Sequence, residues 1–223
     1  MLEKRENLLF FKTFPVIKTS GLILRDIQLK DARQFFEIRS DKRVMKYMGR
    51  EPFQSMDDSK KMIKSCTETY EKGSGINWAI TLKNPVNKCA NNHYNSRESQ
   101  PHTFMDKKEG GIIGPVRDEL IGYVGFWKWV REHFRAEVGF ALLPAYWRKG
   151  IMVEALDAII KFGFEKMNLH RIEADVNPDN TPSIKLLEKL NFKQEAYYKE
   201  NFFFNGKFYD SAIYSLLSPY GRQ

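Results

Sequence analysis

The chain predicts a mixed-sheet α/β domain, and three observations carry that prediction. Short apolar segments rich in strand formers alternate with amphipathic helical ones along most of the length. At 138–155 an apolar strand stops at Pro144, crosses a basic turn with one glycine, and opens directly into a helix. Near the end, two long strand-like segments flank Asn205-Gly206, a dipeptide suited to the left-handed conformations of a tight hairpin.

The elements follow in order. Residues 21–28 (GLILRDIQ) read as a strand and 31–39 as a helix with Phe35, Phe36 and Ile38 apolar. Ser55 with Asp58 three residues on is a helix start. Met62, Ile63, Cys66 and Tyr70 continue that helix at three- and four-residue spacing, and Gly73 ends it. Residues 76–82 (INWAITL) and 120–130 (LIGYVGFWKWV) are strands by composition. Between them, 83–119 holds Pro85, Pro101, Pro115, Gly110, Gly111 and Gly114, and reads as a long insertion in a strand connection. His93 and His102 within it lack metal-ligand spacing, so no metal is expected. A strand at 134–143 precedes a helix with Met152, Leu156, Ile159, Ile160, Gly163 and Met167 on one face. Residues 170–176 form another strand. Asn180 or Thr181 then caps a helix that accepts Pro182 in its first turn and buries Ile184, Leu186, Leu187 and Leu190. The hairpin 192–204 and 207–217 closes the order. Residues 1–20 are assigned to an N-terminal extension, 21–217 to one domain and 218–223 to a tail; the conformation of 8–16 is left open.

A chain of 223 residues can fill one core, and 42% apolar with 29% charged residues is the balance of a globular protein in water. The formal charge of +8 favours anionic partners without choosing among nucleic acid, a membrane surface and a polyphosphorylated cofactor. Cys66 and Cys89 are far apart and read as thiols of a reducing compartment. The apolar run Leu8-Leu9-Phe10-Phe11 is too short for a signal-peptide core, and no segment approaches the ~18 apolar residues of a membrane span. A cytoplasmic protein without membrane attachment is the expectation.

The chemistry sits at the basic turn. Arg148, Lys149 and Gly150 precede the first N–H groups of a helix, which have no intrahelical partner, so the turn is a site for phosphate. Walker and G-x-G-x-x-G spacings are absent, which removes the motif support for nucleoside triphosphates and dinucleotides. Around this turn stand Trp147, Gly150 and Met152, then Glu154-Ala155. Further on come Asn180-x-x-Ser183 and Glu188-Lys189-Leu190-Asn191-Phe192. In that order the two motifs resemble the GCN5-related N-acetyltransferases, most of all the RimJ/RimL branch, over about 21–217. Trp147 and Met152 depart from the family's Gln/Arg and Gly/Ala at the outer turn positions, and Asn191 stands where it usually has glycine.

The resemblance implies a mostly antiparallel central sheet flanked by helices, with acetyl-CoA as cosubstrate and no metal. Arg148, Lys149, Gly150, Ile151, Met152 and Val153 would meet the pyrophosphate. Phe140, Ala141 and Leu142 would bind the pantetheine arm, with a bulge in their strand aiming an N–H at the thioester oxygen, and Asn180 would also reach the cofactor arm. An α-amine with pKa near 7.7–8.0 needs only a modest base, and Glu137, on the strand beside the reacting centre, is the candidate, its alternation with Ala136 and Val138 being equally compatible with a solvated or ion-paired face. Ser183 is the candidate proton donor to the leaving thiolate, and Glu195 and Asp210 are substrate-side candidates. The implied acceptor is an amine, foremost a protein N-terminal α-amine of ribosomal-protein type, attacking directly in a ternary complex. Ribosome association and the choice between monomer and homodimer stay open. A polyamine or aminoglycoside acetyltransferase and a non-catalytic CoA-binding module are the alternatives.

Overall fold

The computed structural model describes residues 11, 13–83 and 118–220. Among the described residues, eight strands form one sheet: β1 (Ile17–Lys18), β2 (Leu22–Asp26), β3 (Ile76–Leu82), β4 (Gly122–Val130), β5 (Arg135–Leu142), β6 (Arg171–Val176), β7 (Lys193–Phe204) and β8 (Lys207–Leu217). Their spatial order is β1-β2-β3-β4-β5-β6-β8-β7. Every neighbouring pair is antiparallel except β5 and β6. A parallel pair requires a crossover, and α4 (Ile151–Glu165) supplies it.

Both faces of the sheet are covered, which explains runs such as INWAITL that are apolar without strict alternation. On one face, Leu24, Trp78, Phe126, Val138 and Ile172 pack with Leu156 and Ile159 of α4. The other face carries α1 (Ala32–Ser40) and α3 (Met56–Glu71), with Phe35, Ile38 and Ile63 over Ala79, Tyr123 and Ala141. The short α2 (Lys42–Met45) follows α1 and had no periodic signal of its own.

The local signals act as their chemistry requires. Ser55 and Asp58 form a reciprocal capping box, and Gly73 takes φ +61 beyond the end of α3. Asn180 caps α5 (Thr181–Lys189) by accepting the Ser183 N–H, and Asn191 takes the left-handed conformation with φ +66. Asn205 and Gly206 turn the hairpin with φ +46 and +75.

Three expectations are corrected. Residues 13–20, assigned to an extension, belong to the fold. There β1 pairs with β2, Phe14 packs against Tyr70 and Trp78, and the Trp78 indole donates to the Pro15 carbonyl at 2.7 Å. The bulge lies in β4 rather than β5. Between Trp127↔Glu137 and Val130↔Arg135 the extra residue is on β4, where Lys128 has φ +48. Met167, read as helical, lies beyond α4, though it is buried. The insertion, apart from Lys83, Asp118 and Glu119, lies outside the described residues, as do Cys89, His93, His102 and residues 1–10. Among the described residues, no helix is long and apolar enough to cross a membrane.

A buried ion cluster ties β2 to the end of the insertion. The Arg25 guanidinium, 7% exposed, donates to both carboxylate oxygens of Asp31 at 2.7 and 2.8 Å and also binds Asp118. Burial pulls the Arg25 pKa down, but the bonds to Asp31 and Asp118 carry it upward overall. Arg25→Met strands the Asp31 carboxylate, which is 3% exposed, without its partner. A loss of about 3–5 kcal/mol of stability in urea denaturation is the expected result, and a loss under about 1 kcal/mol would contradict the pairing.

Candidate active site

The register of β5 builds the site. Leu143 donates its N–H to the Ile121 carbonyl at 2.9 Å, so residues 139, 141 and 143 bond to the β4 side. Alternation turns the N–H and C=O groups of Val138, Phe140 and Leu142 toward β6. Yet β6 pairs with β5 only from Arg135↔Arg171 to Glu137↔Glu173. Past Glu137 the two strands diverge, while β6 stays paired to β8 as far as Val176↔Ala212. The Phe140 N–H and C=O and the Leu142 N–H therefore face a gap where a strand partner would be, the Leu142 C=O being taken by the Trp147 indole. An extended arm with amide groups fits that gap by the same hydrogen bonds a strand would make.

Above the gap stands the basic turn. Trp147 is extended, Arg148 has φ +58 and Gly150 φ +77. The first bond of α4 runs from the Glu154 N–H to the Gly150 carbonyl at 3.0 Å. Backbone N–H groups from Arg148 to Val153 thus have no partner among the described residues, and no side chain caps the helix. The starts of α3 and α5, by contrast, are capped by Ser55 and Asn180. A Cβ built at Gly150 meets nothing within 4 Å. Six consecutive free donors at the positive end of a helix, with open space before them, fit a pyrophosphate. The Lys149 ammonium donates to the Ala145 carbonyl at 2.6 Å and lies 5.4 Å over the Tyr146 ring.

Two residues of the motif acquire structural roles. The Trp147 indole donates to the Leu142 carbonyl at 2.7 Å, bracing the turn against the end of β5. The Glu154 carboxylate accepts from Thr19 Oγ1 (2.6 Å), Ser20 Oγ (2.8 Å) and the Gly21 N–H (2.7 Å), which fastens the start of β2 over α4. Those bonds, that of Thr19 first, hold its carboxyl below the ordinary glutamate value.

Glu137 lies at the vertex, the last β5 residue paired to β6. Its side chain is on the α1/α3 face, where Oε1 accepts from the Trp127 indole at 2.9 Å and Oε2 from the Lys128 ammonium at 2.6 Å. Lys128 is the bulge residue, so the irregularity in β4 is what presents this ammonium to the carboxylate. The Trp127 ring also lies over Gly139, where an added Cβ would come within 1.9 Å of it. Ser183 stands in the first turn of α5, and its hydroxyl has no hydrogen bond among the described residues. Asn180 spends its Oδ1 on the cap, leaving its amide N–H groups for another partner.

The hairpin forms a wall beside the loop that follows α2. A Cβ on Gly49, in the loop after α2, would lie 2.5 Å from the Phe202 ring, so hairpin and loop are in direct contact. Asp210 accepts from the Tyr197 hydroxyl and from the Glu200 N–H at 2.7 Å, and these bonds, Tyr197 first, lower its carboxyl. Glu195 is not brought to the gap. It is bound by Arg171, which lowers its carboxyl, and it stands beside Ser215 in a row three strands from Glu137, about 14 Å away at ordinary strand spacing.

Sequence reasoning missed Trp127 and Lys128, whose roles depend on the bulge, and Arg39. The signal for Arg39 was present: it lies four residues after Phe35 and one after Ile38, on the stripe that α1 buries. Among the described residues, no cluster of His, Cys, Asp and Glu could hold a metal ion.

Residues 21–193 match the family model of the acetyltransferase (GNAT) domain. The uncharacterized N-acetyltransferase YoaA of Bacillus subtilis is 31% identical over 206 residues, covering 92% of this chain and 98% of its own. A GNAT-family acetyltransferase structure from Bacillus anthracis has a TM-score of 0.68 at 26% identity, covering 91% of this chain and 98% of that one. The [ribosomal protein uS5]-alanine N-acetyltransferase of Escherichia coli is 34% identical over 110 residues, 49% of this chain and 57% of its own. The spermidine N(1)-acetyltransferase of Vibrio cholerae is 24% identical over 202 residues, 90% and 96% respectively. With the splayed strands and the uncapped basic turn in place, the chain belongs to the GNAT family of acetyl-CoA-dependent N-acetyltransferases.

Proposed function

We propose that this enzyme acetylates a protein N-terminal α-amine by direct attack in a ternary complex. The observation that carries the reading is the state of the vertex carboxylate. Both Glu137 oxygens are already engaged, Oε1 by the Trp127 indole and Oε2 by the Lys128 ammonium, so the carboxylate is held in a fixed place beside the end of the β5–β6 pairing. An α-amine, with pKa about 7.7–8.0, is partly neutral at physiological pH and can give up its proton through water to one carboxylate so placed, whereas a lysine side chain near 10.4 is almost wholly charged.

In the proposed reaction the amine enters from the α1/α3 face and its nitrogen attacks the thioester carbonyl carbon. The carbon–nitrogen bond forms, and the developing oxyanion meets the gap-facing N–H groups of β5. The amine proton passes through water to Glu137. The carbon–sulfur bond breaks, and the thiolate leaves as a thiol with a proton from the Ser183 hydroxyl, which solvent restores. Arg148 to Val153 hold the pyrophosphate, Phe140, Ala141 and Leu142 line the path of the pantetheine arm, and Asn180 steadies it.

The test is a product assay with acetyl-CoA against peptides with free N-termini, spermidine and an aminoglycoside, the modified nitrogen being located by mass spectrometry. Acetylation of the peptide α-amine is expected. Transfer confined to lysine side chains or small amines would overturn the reading.

A further inference from the structure

Among the described residues, Arg39 is a buried side chain on the α1/α3 face whose hydrogen bonding is left incomplete. It is 6% exposed. Its Nη1 donates to the Tyr123 hydroxyl at 3.2 Å and contacts the Met48 sulfur at 3.0 Å, and its guanidinium lies 5.2 Å over the Phe53 ring. The buried Nε has no hydrogen-bond partner. No carboxylate among the described residues pairs with it, in contrast to Arg25, which is met by two. Cys66 is no counter-ion either, since burial pushes its thiol up to about 11, against the pull of Arg39, and keeps it neutral. A buried guanidinium is ordinarily matched by an anion, because leaving its charge and donors unsatisfied is costly.

Its place suggests where that anion comes from. Tyr123 is paired directly with Ala141 of β5, and both belong to the core cluster on the α1/α3 face. Ala141 lies on the stretch of β5 that has left β6. Met48 precedes Gly49, against which Phe202 of the hairpin wall packs. Arg39 thus stands between the free edge of β5 and the hairpin wall, with a polar hydroxyl beside it and apolar groups around it.

We propose that Arg39 binds a carboxylate carried by the acceptor close to its reactive amine, so that the enzyme selects anionic acceptors over neutral and polycationic ones. The proposal rests on the acetyltransferase reading above and concerns the same site. Two sources share this chemistry: a peptide whose first or second residue is Asp or Glu, and a small amino acid with its own carboxylate. Arginine suits either, because its planar fork matches a carboxylate and its charge persists in an apolar setting.

The experiment compares matched acceptors on the intact enzyme: peptides beginning Ala-Glu and Ala-Gln, glutamate and its α-amide, and spermidine. For wild type, kcat/KM should be about 10- to 100-fold higher for the carboxylate member of a pair, the range expected of one charge-assisted bond. Arg39→Met should abolish that preference while leaving KM for acetyl-CoA unchanged, and Arg39→Lys should restore part of it. The peptide and amino-acid pairs distinguish the two sources. A preference that survives Arg39→Met, equal rates within both pairs, or faster turnover of spermidine would overturn the proposal. A readout independent of turnover is the ¹⁵N-labelled Arg39 Nε–H resonance, assigned by its loss in Arg39→Lys. It should shift on addition of the Ala-Glu peptide and not of Ala-Gln, and an unmoved signal counts against the proposal even where no acceptor is turned over. Acetylation of small amines alone, with the carboxylate preference intact, would end the N-terminal reading and leave this one standing.

Discussion

Gly150→Glu is expected to abolish acetyl-CoA binding in calorimetry while leaving the far-ultraviolet circular dichroism spectrum nearly unchanged. Two consequences of the substitution separate cleanly. The backbone at Gly150 has φ +77, so any side chain there carries the left-handed penalty of about 1–2 kcal/mol. Nothing lies within 4 Å of the new Cβ, so no packing is lost and the fold survives. The carboxylate itself then stands at the mouth of the site, beside the free N–H groups of Arg148 to Val153, where it competes for those donors and repels the incoming phosphates. Losing two charge-assisted bonds at about 1.5–3 kcal/mol each lowers affinity by more than about 100-fold. Gly150→Ala is the control: it carries the same backbone strain without the charge. Its Tm should fall about as far while most of its acetyl-CoA affinity remains. Undiminished binding by Gly150→Glu would remove the turn from the cosubstrate site.

How much of this could be read in the chain depends on how local each signal is. The Ser55–Asp58 capping box, the Asn180 cap, the Asn205-Gly206 turn and the free N–H groups behind Gly150 each follow from a few adjacent residues, and each stands in the structure where the chain predicts it. The gap between β5 and β6 is of a different kind. It exists because pairing stops after Glu137↔Glu173, and nothing in 135–142 or 171–176 taken alone marks that point. The bulge was expected in β5 and lies in β4, since a bulge is defined by two strands at once and Lys128 carries no glycine-like mark of its left-handed backbone. The short β1 and α2 escaped for want of a full period. Arg39 escaped because a charge on an apolar stripe reads as a helix edge until the surrounding groups are known.

Glu137 shows why placement alone does not settle a role. Its alternation with Ala136 and Val138 puts it on the face opposite α4, as the strand period requires, but the two donors that hold it come from β4 and only the bulge brings Lys128 within reach. The vertex is therefore a three-part construction: a carboxylate, its indole and ammonium partners, and the glycine that leaves room for the indole.

The glycine is the part whose replacement has the larger expected effect on turnover. A Cβ at Gly139 would come within 1.9 Å of the Trp127 ring, so Gly139→Ala must displace the indole or move β5. Displacement breaks the bond to Glu137 Oε1 and leaves the carboxylate to swing on its contact with Lys128. The overpacking should cost about 1–3 kcal/mol of stability. Turnover should fall about 100-fold, the order of loss expected when a reacting group is misplaced by an ångström. Acetyl-CoA affinity should hold, because the Gly139 backbone bonds to β4 rather than facing the gap. Adding Trp127→Ala removes the clash and should recover part of the lost stability, a coupling within the 0.5–3 kcal/mol range roughly typical of touching residues. It should not recover turnover, since the indole that orients Glu137 is still missing. If stability and turnover return together in the double variant, Trp127 is a packing residue only and Glu137 needs no orienting partner. If Gly139→Ala is silent in both assays, the indole does not lie over this glycine in solution, and the vertex must be rebuilt without it.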